Sequence, residues 1–169
     1  MTIVYCTAIS RGEAEAVLRG FVRHRRLPVD CGAPAAWLGI EPHESPLRRF
    51  PQQRQLLVEF DDVTDPADDA ASARWFSSTT SPHTPSLADA RQIVAFVHAL
   101  HTDARPWALL VHCTAGVSRS TATALWVREH CGVTAPPLPE GMVGRFSSPW
   151  RPNKTLARLL REAAAEVTT

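Results

Sequence analysis

No stretch of this 169-residue chain approaches the roughly 20 consecutive apolar residues that cross a bilayer, so a membrane-spanning role is not expected. Charge of one sign is also missing: the formal net charge is +1, and no overall field recommends nucleic acid as a partner. The basic cluster Arg19, Arg23, His24, Arg25 and Arg26 has no interleaved aromatic residues and reads as a solvated helix face. Cysteine is sparse, and the four present, Cys6, Cys31, Cys113 and Cys131, lack metal-type spacing. His98 and His101 lie one helical turn apart with no carboxylate or cysteine set beside them, so no metal and no cofactor is expected. Residues Met1 to Ser10 carry neither a leading positive region nor the apolar length of a secretory signal. A reducing cytoplasm is the expected compartment, with Cys6, Cys31 and Cys131 as inert core thiols.

What is present fits one ordinary globular domain spanning residues 1–169: 44% of the residues are hydrophobic and 21% charged. Thr2 to Cys6 reads as a first strand, and Ser10-Arg11-Gly12-Glu13 has the spacing of a capping box that opens a helix toward Arg26, before Pro28. Ala35 to Ile40 and Gln55 to Phe60 read as further strands, separated by a polar loop around Glu41 to Pro51. Ser86 caps an amphipathic helix carrying Ile93, Val94, Phe96, Val97 and Leu100. Beyond Cys131-Gly132, residues Thr134 to Pro152 form a long connection rich in proline, glycine and serine. Asn153 then caps a last helix bearing Leu156, Leu159 and Leu160.

Chemistry concentrates at Val111-His112-Cys113-Thr114-Ala115-Gly116-Val117-Ser118-Arg119-Ser120. The run Trp107 to Val111 reads as a buried strand, and Thr121 onward as a helix, so the loop between them opens onto a helix N-terminus. Unpaired N–H groups and the macrodipole make such a loop an anion site. Gly116 lets the backbone approach the anion, and Arg119 offers a planar fork for two phosphate oxygens. Thr114, Ala115, Gly116, Val117 and Ser118 would present the loop amides. Cys113 beside a guanidinium and a helix N-terminus is set up as a thiolate nucleophile. Ser120 is placed to donate to its sulfur, while His112 on the strand side is read as a buried imidazole that shapes the loop. An ordinary turn around a core cysteine would need neither the glycine nor the arginine.

The segment His112 to Ser120 resembles the signature of the cysteine-dependent protein tyrosine phosphatases, in the flavour of the dual-specificity group and most like its small bacterial members. The similarity extends to the order of elements from Gln55 to the end, including the Pro152-Asn153 pair before the last helix. It implies an α/β domain with a central, mostly parallel sheet flanked by helices. It also implies metal-independent hydrolysis of phosphate monoesters, phosphotyrosine in proteins foremost, through a cysteinyl phosphate. A general acid is then needed on a loop after the strand that precedes the Ser86 helix. That place is Phe60-Asp61-Asp62-Val63-Thr64-Asp65, where Asp62 is the first choice and Asp61 and Asp65 the alternatives. The chain departs from the resembling pattern in lacking Trp-Pro before the acid. A longer insertion from Thr64 to Pro85 reads as a lid or recognition loop, which Trp75 and Phe76 favour, with a tolerated surface excursion as the alternative.

Two rival functions share these residues: an inactive module that binds phosphorylated partners, and a sulfurtransferase or arsenate reductase with a reactive cysteine. The expected partners are a phosphorylated protein or a small phosphomonoester. Thr114, Ala115 and Val117 bring no lysine to the loop, which favours a simple monoester over a highly anionic inositol phosphate.

Overall fold

A computed structural model of the protein describes residues 3–18, 33–42, 54–63, 84–133 and 151–167. Outside them lie the basic cluster, Pro28, Cys31, Asp65, Trp75 and Phe76, and most of the proline-rich connection before the last helix. The elements are β1 (Ile3–Ser10), α1 (Arg11–Leu18), β2 (Ala35–Glu41), β3 (Arg54–Glu59), α2 (Leu87–His101), β4 (Trp107–Cys113), α3 (Arg119–Cys131) and α4 (Lys154–Val167). The four strands form one sheet in the order β1-β4-β2-β3, with every pairing parallel. All carboxyl ends therefore meet at one edge, and Cys113 on the inner strand β4 pairs with Ser10 on one side and Ile40 on the other.

A parallel sheet is covered on both faces, which is why β4 is an unbroken buried run rather than an alternating one. The period of two still decides which core each residue enters. Trp107, Leu109, Val111 and Cys113 face the larger core, made with Ile93 and Val97 of α2, Val127 of α3 and Leu156 and Leu160 of α4. Ala108 and Leu110 face a smaller core with Tyr5, Ile9, Trp37 and Ala14 of α1. His112 has the parity of that smaller face.

The helix ends follow their sequence signals. Ser86 and Asp89 form a reciprocal capping box at α2. Gly132, at φ 64°, ends α3 in the left-handed conformation. Asn153 Oδ1 accepts the Leu156 N–H at 2.9 Å and so caps α4. Among the described residues, no helix is long and apolar enough to cross a membrane.

Several boundaries differ from the sequence reading. The strands β1, β2 and β4 run on to Ser10, Glu41 and Cys113 because the parallel ladder continues past the last apolar residue. Glu41 looked like loop, yet it is buried on β2, while His112 is buried on β4 as its strand-side reading expected. The helix α3 begins at Arg119, two residues before Thr121, since the Ala122 N–H already bonds the Ser118 carbonyl at 2.9 Å.

Leu109 is fully buried on the inner strand. Leu109→Ala is expected to cost about 2–5 kcal/mol, read as a lowered urea midpoint at unchanged slope.

Candidate active site

The turn from β4 into α3 is held closed by its neighbours. Gly116 sits at φ 76°, and a Cβ there would lie 2.6 Å from the Ser10 nitrogen and 2.8 Å from the Ile9 carbonyl carbon. Both the conformation and the close approach exclude a side chain. The Arg11 N–H reaches the Thr114 carbonyl at 3.4 Å and the Arg151 N–H the Val117 carbonyl at 3.2 Å, while Thr121 Oγ1 donates to the Gly116 carbonyl at 3.3 Å. So fixed, the loop folds back over its own cysteine. The Gly116 N–H points to Cys113 Sγ at 3.3 Å, and Ser120 Oγ lies 3.1 Å from the same sulfur. Ser120 is fully buried in the first turn of α3. The sulfur thus lies against the Gly116 N–H and the Ser120 hydroxyl at the N-terminal end of α3.

Arg119 opens α3 with its side chain turned inward, only 5% of the residue being exposed. Its Nη1 donates to the Phe60 carbonyl at 2.6 Å and its Nη2 to Thr114 Oγ1 at 3.2 Å. Its Nε is buried without a hydrogen-bond partner. Among the described residues, no carboxylate pairs with this guanidinium. A buried cation that lacks both an anion and a partner for one donor is costly, and the arrangement persists where a ligand supplies the missing charge.

Asp62 stands just beyond β3 and is joined to the loop from two sides. Its Oδ1 accepts from Ser118 Oγ at 2.7 Å and from Asn153 Nδ2 at 3.0 Å. The same Asn153 amide donates to the Val63 carbonyl at 3.0 Å. Sequence reading credited Asn153 with capping alone, whereas one face of its amide caps α4 and the other clamps the aspartate turn. Asp61, half-buried, precedes Asp62 in the chain, and Asp65 lies outside the described residues.

Behind the loop is a network that the sequence reading missed. His112 Nδ1 lies 3.2 Å from Glu41 Oε1, and Arg11 Nη2 binds Glu41 Oε2. Glu41 is wholly buried, which by itself would raise its pKa, but the hydrogen bonds from His112 and Arg11 outweigh burial and hold it below the usual carboxylate range. Arg11 is pushed up in turn, chiefly by its hydrogen bond to Glu41. Gly39 makes room for the imidazole: a Cβ there would meet His112 Cε1 and Nε2 at 2.9 Å. Cys6 and Cys131 are buried away from the loop, and burial raises their thiols to about 12 and about 11, as expected of core thiols.

Two expectations follow. Gly116→Ala would force a Cβ into the end of β1, and about 2 kcal/mol of stability should be lost in a urea titration. Because Glu41 is held below its unfolded value, the stability it contributes is complete above about pH 4.3 and disappears as pH falls through its folded value. Glu41→Gln should therefore flatten the loss of thermal stability that wild type shows on acidification below that point.

No protein-family model matches the sequence, and no curated relative matches it. Solved structures do. The chain superimposes on human DUSP28 with a TM-score of 0.51 at 18% identity, covering 99% of this chain and 98% of that one. It matches DUSP15 with a TM-score of 0.49 at 17% identity, over 100% of this chain and 90% of that one. It also matches the human tyrosine phosphatase-like serine/threonine/tyrosine-interacting protein, with a TM-score of 0.46 at 17% identity over 86% and 87% of the two chains. The single α/β domain, with its parallel sheet flanked by helices, has the dual-specificity phosphatase fold.

Proposed function

We propose that the protein is a metal-independent cysteine phosphatase acting on phosphate monoesters, with phosphotyrosine in proteins as the main substrate class. The observation that carries this reading is Arg119: a buried guanidinium without a counter-anion among the described residues, beside a cysteine whose sulfur receives the Gly116 N–H. A phosphoryl dianion supplies the missing charge, and a planar fork suits two of its oxygens.

In the proposed reaction the Cys113 thiolate attacks phosphorus, forming a P–S bond as the ester P–O bond breaks. Charge on the equatorial oxygens is met by Arg119 and the loop amides without reorganisation. Asp62 delivers a proton to the departing oxygen. Both of its hydrogen bonds among the described residues fall on Oδ1, which leaves Oδ2 to carry that proton. In the second half the Asp62 carboxylate takes a proton from water as the water oxygen attacks phosphorus. The P–S bond breaks, and Ser120 donates to the leaving sulfur. His112, tied to Glu41, positions the strand end and transfers no proton.

Hydrolysis of an aryl phosphate in the presence of a chelator tests this scheme. Cys113→Ser should be inactive, Asp62→Asn should lower kcat by about 10²–10⁴-fold, and Arg119→Lys should lower kcat/KM by about 10²–10³-fold. Asp61→Asn should change little. A wild type that binds phosphate through Arg119 but turns nothing over would instead be a phospho-dependent binding module.

A further inference from the structure

The phosphate loop carries no lysine, yet the fold brings a second guanidinium to its rim. Arg11 is the first residue of α1, directly after β1, and its own N–H binds the loop at Thr114. Its Nη2 also lies 3.4 Å from Thr114 Oγ1, the hydroxyl that accepts from Arg119 Nη2 at 3.2 Å. Two guanidinium groups thus contact one oxygen and lie within two hydrogen-bond lengths of each other. They differ in setting. Arg119 is buried, whereas 24% of the Arg11 side chain is exposed beside the loop. Arg11 is also held still: Glu41, fixed in the sheet by His112, anchors its Nη2 from behind. Its charge is close enough to Cys113 for the two to interact.

A purely structural partner for Glu41 would not require an arginine with an exposed edge at the mouth of the site. Arginine held by a buried carboxylate is pre-ordered, so an incoming anion meets a fork whose side-chain entropy is already spent. The Arg11 backbone follows β1, but its guanidinium crosses to Glu41 at the end of β2. Glu41 has the parity of Trp37 and the smaller core, whereas Asp62 is tied to Ser118 and to Asn153 at the cap of α4, on the larger-core side. A group meeting Arg11 is therefore distinct from the leaving oxygen that Asp62 serves.

We infer that Arg11 is a specificity-determining residue that reads a second anionic group, carboxylate or phosphate, lying next to the scissile phosphate. This rests on the phosphatase reading for the first phosphate and adds a substrate class to it. The preferred substrate is a monoester with a close anionic neighbour, such as a phosphotyrosine flanked by an acidic side chain or a compact bisphosphate.

The test compares kcat/KM for four substrates: phosphotyrosyl peptides with neutral flanks, the same peptides with glutamate before or after the phosphotyrosine, a doubly phosphorylated peptide, and an aryl bisphosphate. Wild type should favour one or more of the doubly anionic substrates about ten-fold over the neutral one, and the preference should shrink with added salt. The peptide and bisphosphate arms separate a protein carboxylate from a second phosphate. The Arg11→Gln/Glu41→Gln double variant removes the ion pair without leaving a buried charge unpaired, and its preference ratio should fall to about one whatever its absolute rate. Arg11→Lys should keep part of the preference. Binding of the same ligands to Cys113→Ser, followed by calorimetry with and without Arg11→Gln/Glu41→Gln, gives the ratio even if turnover fails. An inactive wild type would then overturn the phosphatase reading alone. A wild type without preference, or a double variant that weakens all ligands equally, would overturn the role of Arg11.

Discussion

The backbone contact between Gly116 and the end of β1 is the constraint on which the site depends. A strand and a helix joined by the short turn of residues 114–118 leave little slack, and here the turn is pressed against Ile9 and Ser10 so closely that no Cβ fits. That closeness turns the Gly116 N–H back onto the Cys113 sulfur and starts α3 early enough for Arg119 to point inward. The sheet order supplies the wall. With β1 and β2 on either side of β4, the cysteine emerges at the middle of the carboxyl edge, where loops from neighbouring strands converge.

Charge is distributed around this turn in two arrangements with opposite logic. Arg119 is buried and, among the described residues, has no carboxylate partner, which suits it to receive an anion. Glu41 is buried and fully engaged, with His112 and Arg11 on its two oxygens, so it is a brace. Removing either partner would leave a buried carboxylate underpaired, a change that costs several kcal/mol in typical cases. Asp62 belongs to neither arrangement. It is oriented through Oδ1 by Ser118 and Asn153, residues from the loop and from the cap of α4, so the last helix contributes to the placement of the aspartate.

Much of this was legible locally. The strand, loop and helix around Cys113 announce themselves because each rests on neighbours in sequence: an apolar run, a glycine, and the alanines that follow. Ser86, Gly132 and Asn153 mark helix ends for the same reason. The choice of Asp62 drew on the resemblance, and the structure joins that residue to the loop. Glu41 escaped because it follows the last apolar residue of β2 and precedes a proline, a pattern that reads as loop. Its burial depends on parallel register, which sets Gly39 opposite His112 across a separation that no local pattern reveals. Arg11 escaped because a capping box explains its surroundings, with Ser10 and Glu13 bonded to each other as the pattern requires. Its side chain acquires meaning only when β1 is laid beside β4.

The central claim is that Cys113 becomes covalently phosphorylated. Rapid acid quench of Asp62→Asn during turnover of an aryl phosphate, followed by peptide mapping, tests it directly, because slowing the aspartate-dependent steps should let the intermediate accumulate. The account predicts a burst of phenol and phosphate bound to the peptide containing Cys113. Turnover without a burst and without phosphate on Cys113, or phosphate on another residue, would contradict it.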